Sequence, residues 1–184
     1  PIIITFDDGY RDNYTNAFPI LKDEGMRGSF FVITGALDQD QPEYLSWDMV
    51  VEMHAAGMEI GSHSYAHVDL AGQSDDYLIF QLLGSREAIE ARINEPVRVF
   101  CYPSGSYDDH TIDVLKRTNY WAAVTVGYGV EQRSDSLYEL QRIRVRGTDS
   151  AADLLRRITA AHGPQSAIGQ HDQEQAALLR VTMP

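Results

Sequence analysis

Two aspartates and two histidines are the residues of this sequence best suited to bind a metal ion. Asp7 and Asp8 directly follow a short apolar run, and His63 and His67 follow a later run of the same kind. Adjacent carboxylates repel each other unless a cation lies near them. A spacing of four residues puts both imidazoles on one face of a helical turn, where they could share one metal. Two histidines and one carboxylate would form a facial ligand set with positions open for water and substrate.

Each motif alone also has a purely structural interpretation. Adjacent aspartates are common in turns, and an isolated pair of histidines is a weak indication of a metal site. The two motifs occur together, however, and both follow predicted strands. A third polar cluster, residues 102–108, follows another predicted strand. Because functional groups of α/β folds gather where strands end, the joint pattern favours a metal site.

Strand and helix signals alternate along the chain. Short apolar runs predict strands at residues 2–6, 29–33, 58–62, 97–102, 121–126 and 140–145. Amphipathic segments between them predict helices, with Ser46, Ser74 and Ser150 at helix starts. The alternation predicts an α/β fold with a mostly parallel sheet, either a barrel or a doubly wound sheet. Residues 1–184 are expected to form a single domain, with residues 165–184 as an unassigned tail.

Composition excludes several classes of protein. The net charge of −12 argues against a nucleic-acid binder or a basic membrane-surface module. A single cysteine excludes an internal disulfide framework and a cysteine-rich zinc site, and no apolar run is long enough to span a membrane. Because the sequence opens at Pro1 directly onto an apolar run, we expect a trimmed chain from which a signal peptide could have been removed.

Three segments resemble the motifs of a known enzyme family. They are TFDDG at residues 5–9, HSYAH at residues 63–67 and FCYPSG at residues 100–105. These segments resemble the first three motifs of the polysaccharide deacetylases, also called carbohydrate esterase family 4 or NodB-homology proteins. The resemblance runs from about Ile2 to Val145. The form of residues 100–108 is similar to the subgroup of poly-N-acetylglucosamine deacetylases.

The resemblance implies a fold and a chemistry. The fold would be a distorted barrel of seven strands, (β/α)7, and one divalent ion, usually zinc, would be bound by Asp8, His63 and His67. Asp7 would be the general base that takes a proton from water, and the backbone N–H of Ser104 would complete an oxyanion site. The reaction would remove N-acetyl groups from an amino-sugar polysaccharide or oligosaccharide, outside the cell or in the cell envelope.

The third motif departs from the family pattern at two positions. Cys101 and Ser104 stand where the family usually has an arginine and an aromatic residue. In the family that arginine steadies the catalytic aspartate, and our hypothesis is that Arg142 supplies the cation beside Asp7 instead. Ser104 removes one wall of a sugar groove. Candidate substrate-binding residues near it follow: Tyr102, Pro103 and Tyr107.

The later motifs of the family have no clear match. Trp121 stands in the wrong context for the fourth motif and is expected in the core. The fifth motif would supply a histidine as general acid, and His171 is the only late candidate. The similar subgroup carries this histidine before the first strand. We therefore expect slower turnover from this chain than from one extended at its N-terminus.

Two other functions stay open at this stage. The same metal site could serve an O-acetyl esterase or a small-amide hydrolase, because the chemistry barely changes. Alternatively, the protein could be a carbohydrate-binding module that kept the metal and lost turnover, as the departures in the later motifs would allow. Acetate release from amino-sugar oligomers, compared with acetyl-xylan, separates these functions. The sequence leaves the polymer, the metal and the oligomeric state open.

Overall fold

The computed structural model of the protein describes residues 2–161. Its central element is one sheet of six parallel strands, which neighbour each other in the order of the chain. The strands are β1 (Ile4–Phe6), β2 (Gly28–Val32), β3 (Glu59–Ser62), β4 (Val99–Cys101), β5 (Ala122–Tyr128) and β6 (Leu140–Arg142). Every strand predicted from the sequence is therefore present, with shifted ends.

A 3-10 turn, Leu137–Glu139, lies between β5 and β6. α-Helices connect the strands from β1 to β5, as parallel pairing requires, and one more helix follows β6. They are α1 (Phe18–Asp23), α2 (Thr34–Asp38), α3 (Trp47–Ala55), α4 (Asp75–Ile79), α5 (Ser85–Ile93), α6 (Asp109–Arg117) and α7 (Ala151–Ala161). Two π-helical segments interrupt this pattern, Asn13–Ala17 before α1 and Phe80–Gly84 between α4 and α5. The sequence predicted one long helix across the second of these regions, and it did not predict α2.

Local sequence explains the elements that border the site. All five residues of β2 are buried, as expected for an apolar strand covered on both faces of a parallel sheet. Ser46 accepts a hydrogen bond from the Met49 N–H at 3.3 Å and caps α3 as predicted. Asp108 and Thr111 form a reciprocal capping box at the start of α6. These helix starts follow strand ends and fix the loops between them.

The hydrophobic core lies between the sheet and the surrounding helices. Phe6 and Phe30 stack with ring centroids 4.7 Å apart, which joins β1 to β2 on one face. Phe100 contacts the rings of Tyr102 and Tyr120 edge-on, each at 5.4 Å. Because both tyrosines are 1% exposed, they belong to this core.

The first and last strands of the sheet are joined by a side chain. Arg142 of β6 donates a hydrogen bond to Thr5 of β1 at 3.1 Å, although β1 and β6 are the outermost strands in the pairing order. The sheet therefore curls far enough for one arginine side chain to bridge its two edges. This is the distorted barrel expected from the sequence, with six strands among the described residues.

The described residues divide into two compact units, residues 2–142 and residues 143–161. In the second unit, Ser150 and Asp153 exchange hydrogen bonds at the start of α7, and Arg157 pairs with Asp149. The single domain expected over residues 1–184 stays a prediction, and residues 165–184 lie outside the described part. Within residues 2–161, no helix has both the length and the apolar character needed to cross a bilayer.

Candidate active site

Asp8, His63 and His67 converge at the carboxyl ends of β1 and β3. Asp8 Oδ1 lies 3.3 Å from His63 Nε2 and 3.2 Å from His67 Nε2. One ligand atom from each of the three residues lies within 4.8 Å of the others. The His63 side chain is 3% exposed, whereas those of Asp8 and His67 are 30% and 35% exposed. The cluster therefore has a buried back and a side open to solvent.

The orientation of His63 is fixed from behind. Its Nδ1 lies 2.7 Å from the backbone carbonyl oxygen of Cys101. A carbonyl only accepts, so Nδ1 must carry the proton and donate it. Nε2 is then the atom that faces Asp8, and a buried hydrogen bond of this kind sets the tautomer of a metal-binding histidine.

The segment that carries both histidines is a bend rather than a helical turn. The predicted helical face is therefore wrong, although the predicted convergence of the rings is present, with centroids 4.9 Å apart. Ser64 and His67 have φ values of 65° and 50°, in the left-handed region. The Ser64 hydroxyl accepts a hydrogen bond from the His67 N–H at 3.0 Å and holds this strained path.

Two neighbouring elements hold this histidine loop from opposite sides. The N–H groups of Thr34 and Gly35 in α2 donate to the carbonyls of Ser64 and Tyr65, at 3.3 and 2.8 Å. A Cβ on Gly35 would approach the Tyr65 carbonyl oxygen to 2.6 Å, so this contact requires glycine. The sequence did not reveal that α2 holds this loop, and Gly35 was the one residue that could have indicated such a close backbone contact.

Gln81 holds the other side of the histidine loop. It is 1% exposed and lies in the π-helical segment Phe80–Gly84. Its carbonyl accepts from the Tyr65 N–H at 3.1 Å, and its side-chain Oε1 accepts from the Ala66 N–H at 3.0 Å. The π-helical geometry changes which backbone carbonyls are free to accept hydrogen bonds, and here the Gln81 carbonyl accepts one from the loop between His63 and His67. No local sequence signal identified Gln81.

Asp7 and Asp8 have different partners because the chain turns between them. Asp8 and Gly9 adopt φ values of 70° and 72°. A Cβ on Gly9 would meet Val32 Cγ1 at 3.1 Å, so glycine is favoured by both conformation and space. The turn separates the carboxylates: Asp8 faces the histidines, and Asp7 faces Arg142.

Arg142 grips Asp7 with two parallel hydrogen bonds. Its Nη1 and Nη2 lie 2.7 and 2.8 Å from Asp7 Oδ1 and Oδ2. Nε donates to the Thr125 carbonyl at 3.0 Å, and Nη2 lies 3.4 Å from Cys101 Sγ. The cation that the sequence hypothesis placed beside Asp7 is therefore present there, and its planar fork matches the carboxylate.

Cys101 is a buried thiol beside this ion pair. Burial raises the pKa of Cys101, and the negative charge of Asp7 adds to the effect. The side chain therefore stays protonated and is no nucleophile. Its small volume leaves space for the guanidinium of Arg142.

The charges of the cluster stabilise ionised Asp8. A hydrogen bond with His63 lowers the pKa of Asp8, burial opposes this effect, and the charges of His63 and His67 add to the lowering. Asp8 is therefore an anion at neutral pH. An ionised carboxylate is the form that binds a cation.

The third cluster corrects part of the predicted substrate site. Tyr102 is 1% exposed and donates its hydroxyl to the Tyr138 carbonyl at 3.0 Å, so it belongs to the core and its predicted sugar contact is wrong. Pro103 is also buried. Tyr107 is half-buried, stacks on Tyr102 at 4.3 Å and donates to Glu139 at 3.0 Å. The Tyr107 contact with substrate stays a prediction.

Ser104 lies in an exposed turn at the end of β4. Its φ of 53° is in the left-handed region. The N–H groups of the next two residues donate to the carbonyls of Tyr102 and Pro103, and the Ser104 N–H takes no part in these two bonds. The oxyanion role of this N–H stays a prediction.

Two further expectations have different outcomes. Trp121 is 60% exposed, with the Arg98 guanidinium 3.9 Å from its ring centroid, so the expected core position is wrong. The exposed ring is stable there because the cation covers one face. His171 lies outside the described residues, and its role as general acid stays a prediction.

The donor set fits a divalent cation. Two imidazole nitrogens and one carboxylate oxygen are the ligands of many catalytic zinc sites, which leave further positions open. The fixed Nε2 of His63, the ionised state of Asp8 and the solvent-exposed side of the cluster all agree with this use. Asp7 is not a member of the ligand group, because both of its oxygens pair with Arg142.

Fold and site together define an α/β barrel-type protein with a candidate metal centre at its strand ends. The family model for polysaccharide deacetylases matches residues 1–123. The chain therefore belongs to the polysaccharide deacetylase family, as its three motifs indicated. YxkH of Bacillus subtilis is 31% identical over 144 residues, which cover 78% of this chain and 51% of that protein.

Two other relatives agree with this assignment. The structure of the Streptococcus pyogenes deacetylase PplD in complex with acetate has a TM-score of 0.79 and 32% identity, and the match covers 83% of this chain and 68% of that one. The poly-beta-1,6-N-acetyl-D-glucosamine N-deacetylase of Staphylococcus aureus is 24% identical over 86% of this chain and 59% of its own length. This chain thus spans between half and three fifths of the curated relatives named here.

Proposed function

We propose that this protein hydrolyses N-acetyl groups of an amino-sugar polymer with the help of a divalent cation, zinc by its donor set. The most direct support is the arrangement of two functional sets side by side. Asp8, His63 and His67 form a ligand group, and the adjacent Asp7 is kept apart from it by Arg142. The polymer of the Staphylococcus aureus relative has the matching chemistry, since its name includes N-acetyl-D-glucosamine.

A cation held by Asp8, His63 and His67 would supply Lewis acidity to a water molecule and to the acyl oxygen of the acetamide. The chain supplies the proton acceptor. Asp7 keeps free lone pairs on both oxygens while Arg142 fixes its plane, so it can take a proton from water. The water oxygen then bonds to the acyl carbon. The C–N bond breaks as the nitrogen takes up the proton that Asp7 received from water, which releases acetate and the sugar amine.

Arg142 has a second effect on Asp7. The guanidinium places its positive charge against both carboxylate oxygens of Asp7 and fixes their orientation. The hydrogen bonds from Arg142 to Thr5 and Thr125 hold the guanidinium in place, so the paired Asp7 stays away from the ligand group. We infer that Arg142 positions the base. We further propose that the reaction takes place outside the cell or in the cell envelope, where such polymers are exposed.

Acetate release tests the proposal. The protein is stripped with a chelator, reloaded with zinc and incubated with N-acetylglucosamine oligomers or with acetyl-xylan, and free acetate is measured. We expect zinc-dependent release from the oligomers, at least a hundredfold slower release with Asp7→Asn, and loss of bound zinc with His63→Ala. His110→Ala is the matched control, because His110 is 46% exposed and pairs with Asp75 away from the ligand group.

Three results would contradict the proposal. Release from acetyl-xylan alone would indicate an O-acetyl esterase. Metal-dependent binding of oligomers without acetate would indicate a carbohydrate-binding module. Equal acetate release with and without zinc would refute the role of the cation.

A further inference from the structure

Two stacked tyrosines lie beside the ligand group and have no part in the chemistry described above. The rings of Tyr10 and Tyr44 are 5.0 Å apart between centroids, and their planes differ by 22°. Tyr10 is 44% exposed, while Tyr44 is half-buried and packs against the core. We call these two residues the tyrosine pair. It presents an exposed aromatic ring supported from behind by a second one.

The backbone ties the tyrosine pair to the ligand Asp8. Tyr10 follows Asp8 by two residues and forms an antiparallel bridge with Tyr44. On either side of that bridge, the Leu45 N–H donates to the Gly9 carbonyl at 2.9 Å, and the Arg11 N–H donates to the Glu43 carbonyl at 2.8 Å. The loop that carries Tyr44 is therefore fixed to the segment that carries the metal ligand.

The two tyrosines that the sequence suggested for a sugar contact are less available. Tyr102 is in the core, and Tyr107 has one face covered by Tyr102 and its hydroxyl bound to Glu139. Ser104 stands where the sequence analysis expects the aromatic wall of the family. The tyrosine pair offers an exposed aromatic ring on the side of β1, next to the turn that carries Asp8.

We propose that the tyrosine pair is a sugar subsite, in which the apolar face of one pyranose ring of the polymer lies against Tyr10 while an acetamide is presented to the ligand group. This inference rests on the proposed function and names the residues that select a polymer over a small acetylated compound. Aromatic rings offer flat apolar area with little loss of conformational entropy. The hydroxyls of the pair suit the polar edge of a sugar.

Steady-state kinetics of the zinc-loaded protein with two substrates tests the subsite. With an N-acetylglucosamine pentamer, Tyr10→Ala should raise KM about tenfold, the loss expected for one aromatic contact of about 1.4 kcal/mol. With 4-nitrophenyl acetate, which has no sugar, its KM should match that of the wild type. Tyr77→Ala, a 37% exposed tyrosine on α4, should change neither value.

The outcomes separate this inference from the proposed function. If the wild type releases acetate from the pentamer and Tyr10→Ala has the same KM, the subsite is refuted and the proposed function stands. If the wild type releases no acetate from the pentamer, the proposed function itself fails. Zinc titration verifies an intact ligand group in each variant, and Tyr10→Leu replaces Tyr10→Ala if the latter does not fold. An equal rise of KM for both substrates would also refute the subsite.

Discussion

The pairing of Arg142 with Asp7 predicts a measurable coupling energy between two residues 135 positions apart in sequence. Two charge-assisted hydrogen bonds of 2.7 and 2.8 Å join side chains that are 19% and 32% exposed. Hydrogen bonds to charged groups contribute about 1.5–3 kcal/mol each, and breaking a fully buried ion pair costs about 3–5 kcal/mol. Because water reaches Asp7 and screens the pair, we expect a coupling of about 2 kcal/mol, below the cost of breaking a fully buried pair.

A double-mutant cycle measures this coupling. The free energy of unfolding is determined in urea, with a chelator present so that metal binding does not contribute, for the wild type, Arg142→Met, Asp7→Asn and the double variant. The matched control is the pair Arg133 and Asp135, which has nearly the same geometry, at 3.0 and 2.9 Å, but is 62% and 66% exposed. That pair should show a much smaller coupling, because solvent screens it.

One result would refute the interpretation of Arg142 as the residue that fixes the base. A coupling of less than about 0.5 kcal/mol would be within the usual error of additivity, and the two side chains would then be independent. Arg142→Lys adds a second observation. Lysine keeps the charge but cannot form the two-pronged contact, so its coupling with Asp7 should fall between those of arginine and methionine.

Two further predictions concern the loops around the site. Gln81→Met removes the acceptor for the Ala66 N–H and should weaken zinc binding at least tenfold in a chelator competition. Gln81→Glu keeps an acceptor, so it should bind zinc more tightly than Gln81→Met. Equal zinc affinity of the two variants would contradict the role of Gln81 in holding the loop of His63 and His67. Asp108→Ala should cost about 1 kcal/mol of unfolding free energy at pH 7, because Asp108 accepts from the N–H groups of Thr111 and Gly72. These hydrogen bonds lower the pKa of Asp108, so its stabilising effect is present above about pH 4 and is lost as the pH falls through the lowered pKa. Urea unfolding at pH 7 and at successively lower pH should therefore show the two curves converging in acid, and a constant difference would refute the role of the charge.

The fold and the ligand group could be predicted because their signals are local. Six apolar runs mark the strands, and parallel strands gather their carboxyl ends at one edge, which brings Asp8 near His63 and His67. The contact of Arg142 with Asp7 was available as a hypothesis because a family position held Cys101 instead of arginine. In these cases residue type and strand position were sufficient.

The remaining features depend on packing that residue type does not reveal. The spacing of His63 and His67 suits a helix, but the left-handed conformations of the bend bring the rings together instead. Tyr102 is of a residue type that often contacts sugars, but Tyr107 and the core bury it. Gln81 could not be recognised, because a π-helical segment has no sequence signal that separates it from an amphipathic helix.

The contact of Arg142 on β6 with Thr5 and Asp7 has a consequence for the order in which the site forms during synthesis on the ribosome. Among the six described strands, β1, which leads into Asp7, is made first, and Arg142 of β6 is made after the other five. A nascent chain that extends beyond His67 contains Asp8 and both histidines, but Asp7 has no arginine partner until β6 is made. A chain released before β6 would therefore contain the three candidate ligands while Asp7 lacked the contact that restrains it.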